Sequence, residues 1–400
     1  MPKASLSYRR LAAAGVTVAV LGAALLAFAY PQWREQTATQ AAPPVMQLAS
    51  ASPRIGMGTP LTGAGATHGI QLKAGVEQAV DDINAAGGML GQKITTTIGD
   101  DRSDPQEGVS VARRFAGDGV KFVVGHISTG VTIPASEVYL EHGILAITPA
   151  ATNPRVTERN MWNIFRTCGR DDQQGLVAGE YILKNFKGQK IAIVHDKTTY
   201  GQGLADVTRA TINKGGMKDV LYEGVNVGGR DYSALVSRIK ASGADLVYWG
   251  GLYDPGAMIL RQMRDQGVKA TLMGGDGITD HQLSAIAGAA AEGTLLTYGP
   301  DPRKRPQAKD VVAKFRAKNF DPLASTLYSY AAVEIIKQAA EAARSLDPKK
   351  VAEQMKSGMT FNTVLGDISY DKKGDVTRLD YVVYVWKKDA GGKITYAEIE

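Results

Sequence analysis

Apolar runs of strand length alternate along this chain with amphipathic segments of helical length. Between Lys121 and Pro154, the apolar run KFVVG (Lys121–Gly125) is followed by a segment of helical length and then by the apolar run ILAIT (Ile144–Thr148). An apolar run without polar alternation is typical of a strand buried on both faces, and parallel strands require a crossover between them. This stretch therefore predicts a β-α-β unit.

The same alternation extends over most of the chain. Before the central unit it predicts strands at Arg54–Pro60 and Lys93–Ile98, and helices at Ile70–Ala86 and Pro105–Ala116. Strand-like and helical segments continue to alternate after the unit, which predicts a doubly wound α/β fold with mostly parallel sheets. At 400 residues the chain exceeds the usual size of one core, so we expect two lobes.

Small and hydroxylated residues follow both strands of the central unit. Ser128 and Thr129 follow the first strand, and Ala150, Ala151 and Thr152 follow the second. In open α/β sheets, ligands bind beyond the carboxyl ends of the strands. Hydroxyl donors, small side chains and a helix N-terminus together suit a small anion. The pattern favours a binding site, and the alternative is that the hydroxyls only cap the helices that follow.

The N-terminal segment has the features of an export signal. Basic residues precede an apolar run from Leu11 to Tyr30, and small-x-small patterns occur at Ala27–Ala29 and Ala49–Ala51. We predict that residues 1–30 form a signal peptide or, because the run is long enough to span a bilayer, an uncleaved membrane anchor. Residues 31–53 are predicted to be a linker. Under both alternatives the rest of the chain is exported, either free or tethered to the membrane.

Charge and cysteine content exclude several classes of protein. The net charge of +6 is modest and basic residues are interleaved with acids, so no nucleic-acid partner is predicted. The short run Arg303–Arg305 is interpreted as a solvated loop. The single cysteine, Cys168, excludes an intramolecular disulfide, and its strand-like surroundings (NIFRTCG) predict a buried structural thiol.

Catalytic motifs are missing from the sequence. The segment Gly63–Gly69 follows a strand and precedes a helix as a dinucleotide fingerprint would, but His68 replaces its third glycine, so we interpret it as a flexible loop. No nucleophile elbow, zinc-protease motif or phosphate-binding loop occurs, and the five histidines lack metal-ligand spacing. We predict no enzyme activity, no metal and no cofactor.

Several motifs together resemble one known family. They are GVEQAVDDINAAGGMLG, DPQEGVSVARRF, VVGHISTGVTIPASEVYLEHGILAITPAAT, IAIVHDKTTYGQGLA and ILRQMRDQG. These motifs are similar to those of branched-chain amino-acid-binding proteins of the leucine/isoleucine/valine type, the periplasmic substrate-binding components of ABC transporters. The resemblance covers nearly everything from Arg54 to the C-terminus. It implies the type I periplasmic-binding-protein fold, in which three hinge crossovers join two doubly wound α/β lobes.

The resemblance also implies the boundaries of the lobes. Residues 54–169 and 300–372 would form lobe 1, and residues 170–299 and 373–400 would form lobe 2. The crossovers are then expected near three segments: Thr167–Asp171, Thr297–Pro302 and Tyr370–Asp375.

A set of ligand-binding residues follows from the resemblance, position by position. The expected set is Ser128, Thr129, Ala150, Ala151, Thr152, Tyr200, Asp276, His68 and Tyr253. The two loops after the central strands would hold the α-carboxylate and the α-ammonium of an amino acid. Tyr200 would close over the ligand from lobe 2, and Asp276 stands where the family has a glutamate that pairs with the ammonium. His68 stands where the family has an aromatic residue beside the ligand side chain.

Two departures from the family affect the side-chain pocket. Leu252 stands at the position of a family tyrosine, with Tyr253 next to it as a substitute or a packing group. A family aromatic residue after Pro322 is replaced by Ser325 or Thr326. The residues that recognise the amino-acid backbone are intact, but the preferred side chain stays open.

The expected function is capture of an aliphatic or other amino acid by hinge closure and its delivery to an inner-membrane ABC permease. The protein is expected to act as a monomer. Two alternatives belong to other classes. One is a membrane-tethered sensor of amino acids or amides with the same fold, and the other is a nucleotide-using α/β enzyme.

Overall fold

The computed structural model describes residues 52–63, 65–378 and 381–399. The predicted signal peptide or anchor lies outside these residues, as does nearly all of the predicted linker. Within the described ranges, no helix has both the length and the apolar character that crossing a bilayer requires.

The regular elements of the described chain follow the predicted α/β alternation. The strands are β1 (Arg54–Thr59), β2 (Thr95–Asp100), β3 (Phe122–Gly125), β4 (Leu145–Thr148), β5 (Ile164–Arg166), β6 (Ile191–His195), β7 (Asp219–Gly224), β8 (Leu246–Gly250), β9 (Thr271–Gly274), β10 (Leu295–Tyr298), β11 (Phe361–Thr363), β12 (Gly366–Ile368), β13 (Val382–Lys388) and β14 (Ile394–Glu398). The helices are α1 (Ala66–Ala85), α2 (Pro105–Gly117), α3 (Thr129–Glu141), α4 (Asp171–Asn185), α5 (Thr199–Lys214), α6 (Ser233–Ser242), α7 (Tyr253–Asp265), α8 (Gln282–Ala287), α9 (Lys309–Ala317), α10 (Ala324–Ala343) and α11 (Pro348–Met355).

The first lobe is built on a parallel sheet with helices on both faces. Its strand order is β2-β1-β3-β4-β5. Phe122 and Val124 of β3 pack in one core with α1 and α10, whereas Val123 packs in a second core with α2 and α3. Successive strand residues point to opposite faces, so a strand covered on both sides is apolar at every position. This explains the uninterrupted run that predicted the strand.

The second lobe contains a seven-stranded sheet in the order β14-β13-β10-β9-β8-β6-β7. Strands β6 to β10 are parallel, and the C-terminal strands β13 and β14 add to the edge in antiparallel orientation. Both faces are again buried, because Ala192 and Val194 pack in one core and Ile193 in another. The prediction of two doubly wound α/β lobes with mostly parallel sheets is confirmed.

The third connection between the lobes lies later in the chain than predicted. Asp375 and Val376 are buried, and Val376 packs in the core of the first lobe. The chain therefore leaves this lobe between Val376 and Val382, where β13 begins, and not at Tyr370–Asp375. Gly374 explains the difference: its φ of +99° and its close approach to the Ile164 carbonyl, 2.3 Å from where a Cβ would lie, hold the segment against β5.

A buried charge network joins the two segments from which the first and third connections leave the first lobe. The Nε atom of Arg166 lies 2.6 Å from Oδ1 of Asp375, and Nη1 of Arg170 lies 2.5 Å from Oδ2 of the same carboxylate. Thr157 donates its hydroxyl to Asp375 at 2.8 Å. Two cations and a hydroxyl thus balance one buried carboxylate, which satisfies a charge that would otherwise be costly to bury.

The basic run Arg303–Arg305 is not the solvated loop that was predicted. Only Lys304 is exposed. Arg303 is half-buried and donates to both carboxylate oxygens of Asp301, each at 2.9 Å. Arg305 is also half-buried, beside the second connection. The run lies where the chain returns to the first lobe, so packing between connections removes two of its three side chains from solvent.

Candidate ligand-binding site between the lobes

A cavity of about 570 Å³ lies between the two lobes. Its size falls within the range of roughly 300–1,000 Å³ that is typical of small-molecule sites. Residues of both lobes and of all three connections line it. Six predicted site residues face the cavity: Ser128, Thr129, Ala150, Tyr200, Asp276 and His68. The other three do not line it: Ala151, Thr152 and Tyr253.

The wall from the first lobe carries hydroxyls at the start of α3. Ser128 precedes this helix, but its side chain makes no capping hydrogen bond. The buried Thr129 hydroxyl has no partner among the described residues. In the second loop, Asn153 rather than Thr152 caps the turn that follows, by accepting from the Arg155 N–H at 3.0 Å. The capping alternative therefore fails for Ser128 and Thr152.

The two loops of this wall are held by one shared hydrogen-bond network. Thr148, the last residue of β4, donates its hydroxyl to the His126 carbonyl at 2.6 Å and accepts from the Ala151 N–H at 2.9 Å. The His126 ring lies between two buried partners, the Asp101 carboxylate at 2.6 Å and the Tyr139 hydroxyl at 2.8 Å. These hydrogen bonds fix the positions of the loops after β3 and β4. Ala151 takes part in this network through its backbone and does not line the cavity.

Sequence reasoning missed this support. His126 was one of several histidines without metal-ligand spacing, and its partners lie 25 and 13 residues away in the chain. No local pattern links residues so far apart. Only the sheet order, which places β1 between β2 and β3, brings Asp101 next to His126.

The opposite wall is organised around Tyr200 and Asp276. Tyr200 lies in the first turn of α5, and its hydroxyl donates to Oδ1 of Asp276 at 2.7 Å and accepts from the Gly277 N–H at 2.9 Å. The start of α5 can approach the end of β8 because both contact residues are glycines. A Cβ at Gly250 would lie 2.1 Å from the Gly201 carbonyl oxygen.

Three carboxyl groups of this region, Asp196, Asp276 and Asp171, have raised pKa values, and burial is the largest cause for each. Burial raises the pKa of Asp276 to about 6, although the hydrogen bond from Tyr200 opposes the rise. Burial and repulsion by Asp276 raise the pKa of Asp171 well above its usual range. Asp171 is the first residue of α4 and was not predicted, because an acidic residue in the first turn of a helix is ordinary. Asp276 and Asp196 line the cavity, whereas Asp171 does not.

The lobes touch each other on both sides of the cavity. On one side the Thr67 and Tyr253 hydroxyls are 3.0 Å apart, and Nε2 of His68 lies 3.8 Å from Oδ2 of Asp280. On the other side, Asn153 donates its side-chain amide to the Thr199 carbonyl at 2.9 Å. We call these three pairs the closing contacts. They show that the structure has the lobes closed over the cavity.

The closing contacts explain why Tyr253 does not line the cavity. It is the first residue of α7, and its hydroxyl is directed at Thr67 of the first lobe. The neighbouring Leu252 faces the cavity in its place. His68 both lines the cavity and packs edge-on against the Tyr253 ring, with ring centroids 5.6 Å apart.

The segment Gly63–Gly69 is only partly the flexible loop that was predicted. Helix α1 begins at Ala66, so His68 and Gly69 are helical. Gly69 packs directly on the preceding strand end, since a Cβ there would lie 1.5 Å from the Pro60 carbonyl oxygen. The early start of α1 is what brings Thr67 and His68 to the second lobe.

Cys168 is buried, as predicted, but it lies after the strand and lines the cavity. β5 ends at Arg166, and the thiol lies 3.7 Å from the Ala151 carbonyl oxygen. Burial raises the pKa of the thiol to about 12. The group is therefore a protonated, neutral part of the cavity surface, since only a thiolate is nucleophilic.

Comparison with known proteins places the chain in a family. Residues 52–393 match the family model described as periplasmic binding protein, and the chain belongs to this family. It is 57% identical over 344 residues to Leu/Ile/Val-binding protein homolog 1 of Brucella melitensis, which covers 86% of this chain and 93% of that protein. It is 51% identical over 335 residues to an amino acid binding protein of Pseudomonas aeruginosa, covering 83% of this chain and 89% of that protein.

Solved structures agree with this placement. The leucine-binding protein of Thermotoga maritima superposes with a TM-score of 0.79 at 27% identity, covering 87% of this chain and 99% of that one. The fold of two lobes and three connections is therefore the type I periplasmic-binding-protein fold that the motifs predicted.

The raised pKa of Asp276 leads to a prediction about stability. An aspartate whose pKa is raised in the folded state folds preferentially in its protonated form, so ionisation at neutral pH costs stability. For a rise from 3.8 to about 6 the cost is about 3 kcal/mol. We expect Asp276→Asn to raise the free energy of unfolding of the ligand-free protein at about pH 8 and to leave it nearly unchanged at about pH 4.

Urea unfolding at both pH values measures this difference. Asp367→Asn, which removes an exposed carboxylate of the same cavity, serves as the control and should change little. A destabilised Asp276→Asn protein at the higher pH would contradict the assignment of an unfavourable buried charge.

Proposed function

We propose that this protein is an exported solute-binding protein that captures a free amino acid between its lobes and delivers it to an inner-membrane ABC permease. One observation carries the proposal. The cavity presents unpartnered hydroxyl donors and a helix N-terminus on one wall, and an ionisable carboxyl group on the other. The names of the relatives, which include leucine, isoleucine and valine, support an aliphatic amino acid as the ligand.

A zwitterion satisfies both walls at once. Its carboxylate would lie against the hydroxyls of Ser128 and Thr129, where the dipole of α3 favours negative charge. Its ammonium would lie against Asp276, whose charge is already oriented by the hydrogen bond from Tyr200. Charge-assisted hydrogen bonds of this kind are roughly twice as strong as neutral ones.

Capture would proceed by closure about the three connections. Without ligand, the burial of the Asp276 carboxylate and the unpartnered hydroxyls disfavour the closed form. A bound zwitterion removes both penalties, so the ligand shifts the population toward the closed lobes. The closing contacts then hold the ligand, and the closed form is what the permease would recognise. The periplasmic location follows from the family and from the predicted export signal.

The carboxylate on the second wall leads to a prediction about pH. Burial raises the pKa of Asp276 to about 6, and the ligand ammonium is expected to pair with the ionised form of this carboxyl group. We expect the affinity for L-leucine to be about tenfold lower at about pH 5, where most of the Asp276 carboxyl group is protonated, than at about pH 8, where it is ionised. Asp276→Asn should bind weakly and without this dependence.

Isothermal titration calorimetry at the two pH values measures the effect. ATP serves as a negative control for the enzyme alternative. Equal pH dependence in the wild type and in Asp276→Asn would show that another group is responsible.

The closing contacts lead to a prediction about kinetics. The hydrogen bond between Tyr253 and Thr67 joins the two lobes, so separation of the lobes is expected to break it. Because one hydrogen bond contributes about 1 kcal/mol, Tyr253→Phe should release leucine about fivefold faster. Its association rate should not change.

Stopped-flow fluorescence measures both rates. Tyr232→Phe is the matched control, because the buried Tyr232 hydroxyl has no partner among the described residues and lies within the second lobe. An unchanged release rate in Tyr253→Phe would mean that this contact does not hold the closed form.

A further inference from the structure

Two short segments at one end of the second lobe are rich in lysine and contain no acidic residue. They are KNFKGQK (Lys184–Lys190) and KGGMK (Lys214–Lys218). All of their lysines are exposed, and within the described chain no ammonium group among them forms a hydrogen bond or an ion pair. We call this set the basal lysines: Lys184, Lys187, Lys190, Lys214 and Lys218.

The sheet of the second lobe brings the two segments side by side. β6 and β7 are parallel neighbours, and their register pairs Ile191 with Asp219. Lys190 and Lys218 immediately precede these two residues, so they lie at the starts of adjacent strands, and neighbouring strands are about 4.8 Å apart. Like charges in such positions repel each other, so this pair does not stabilise the sheet.

The helices that lead into these strands end at the same place. α4 precedes β6 in the chain, and α5 precedes β7. Their ends touch, because a Cβ at Gly215 would lie 2.4 Å from Cδ1 of Leu183. Phe186 and Met217, one from each segment, are half-buried against the same hydrophobic core. The two segments therefore form one continuous surface.

Few acidic groups lie near this surface. The Asp219 carboxylate is neutralised by Arg209, whose Nε lies 2.8 Å from Oδ1. Asp245 precedes the next strand, β8, and accepts from the backbone N–H of Lys190 at 2.8 Å. Glu180 lies one turn back along α4 and forms no ion pair with any described residue. Five exposed ammonium groups therefore face only two exposed carboxylates.

Helix dipoles account for only part of this surface. Lys184 and Lys214 lie in the last turns of α4 and α5, where a cation interacts favourably with the helix C-terminus. Lys187, Lys190 and Lys218 lie beyond the helix ends, and the dipole effect falls off within the last turn. The dipoles give no reason for positive charge at these three positions.

The surface lies at the edge of the sheet opposite the ligand cavity. Strands β6, β8 and β9 are parallel, and the cavity residues Tyr200, Leu252 and Asp276 follow their carboxyl ends. The basal lysines instead lie before the amino ends of β6 and β7. A partner bound to them leaves the cavity accessible.

The chemistry of the surface suits a fluid array of phosphates. Every cation in the two segments is a lysine, which carries a compact charge on a flexible stem, whereas the arginine fork matches the fixed geometry of one carboxylate or phosphate. A cluster of like charges attracts an oppositely charged surface through its summed field. Because the family is periplasmic, a membrane surface borders the space in which the protein acts.

We propose that the basal lysines bind this end of the second lobe to the surface of a bilayer that contains anionic phospholipid. The contact is electrostatic and peripheral: the ammonium groups pair with lipid phosphates, and the lobe stays outside the hydrocarbon region. This inference does not depend on which ligand the cavity binds. Together with the proposed function, it concentrates the protein at the membrane that contains the permease.

Vesicle flotation of the full-length chain tests the proposal. Vesicles of phosphatidylcholine alone are compared with vesicles made of equal parts of phosphatidylcholine and phosphatidylglycerol. We expect the protein to bind the anionic vesicles at least about tenfold more tightly than the neutral ones. Binding to the anionic vesicles should fall at high salt, because salt screens exposed charges.

A set of triple variants locates the effect. One lysine at an anionic surface contributes about fivefold in affinity, so Lys187→Gln, Lys190→Gln and Lys218→Gln together should weaken binding to the anionic vesicles at least about tenfold. Arginine at the same three positions should preserve binding. The matched control, which should bind like the wild type, replaces three exposed lysines of the first lobe by glutamine: Lys309, Lys350 and Lys372. The N-terminal segment is identical in all variants, and thermal unfolding confirms that each is folded.

Three outcomes would overturn the proposal. Equal weakening in the basal variant and in the control would show that only the net charge matters. Equal binding of the wild type to both kinds of vesicle would show that the lysines recognise no anionic lipid. Tight binding to soluble poly-L-glutamate without binding to anionic vesicles would assign the surface to an acidic protein. None of these results bears on amino-acid binding, which calorimetry measures separately.

Discussion

The central constraint in this structure is an unbalanced charge in a closed space. Asp276 places a carboxyl group in the cavity between the lobes, and burial has moved its pKa toward neutrality. The facing wall offers the opposite imbalance, with free hydroxyls and the N-terminus of α3 and no anion. Burying a charge without a partner is costly. Asp276 lacks a cation, the facing hydroxyls and helix N-terminus lack an anion, and neither wall supplies the partner of the other. A molecule that carries both charges at close range resolves both imbalances.

The fold positions the two walls so that they face each other across the cavity. Parallel strands bring the loops after β3 and β4 to one edge of the first sheet, and those after β6 and β9 to one edge of the second. Beneath the first wall, Thr148 and His126 fix both loops through a few short hydrogen bonds. Next to the hinge, one buried carboxylate, Asp375, joins the segments from which two of the connections leave the first lobe. Binding energy can then be used to close the lobes rather than to order the loops.

Much of the fold could be predicted from the sequence because buried parallel strands leave a clear signature. The bounds of β1, α2, β3 and β4 differ from the predicted ones by one residue at most, since apolar runs and turn residues mark them directly. The errors arose where a glycine permits close packing that no pattern reveals. Gly69 allows α1 to begin early against Pro60, and Gly374 holds the third connection against β5.

The site was less predictable, because its geometry depends on contacts between distant segments. Tyr253 and Leu252 are adjacent, and only the start of α7 decides which of them faces the cavity. Asp171 and Arg305 carry no local signal, since each occupies an ordinary position for its residue type. Their proximity to the cavity results from the packing of the connections, which is a property of the folded chain.

The balance of charge across the cavity is tested most directly by removing one ligand charge at a time. Calorimetry would compare L-leucine with isopentylamine, which lacks the carboxylate, and with 4-methylpentanoate, which lacks the ammonium. The account predicts that leucine binds and that each analogue loses at least about tenfold in affinity, because each leaves one wall unsatisfied. An analogue that binds as tightly as leucine would contradict it.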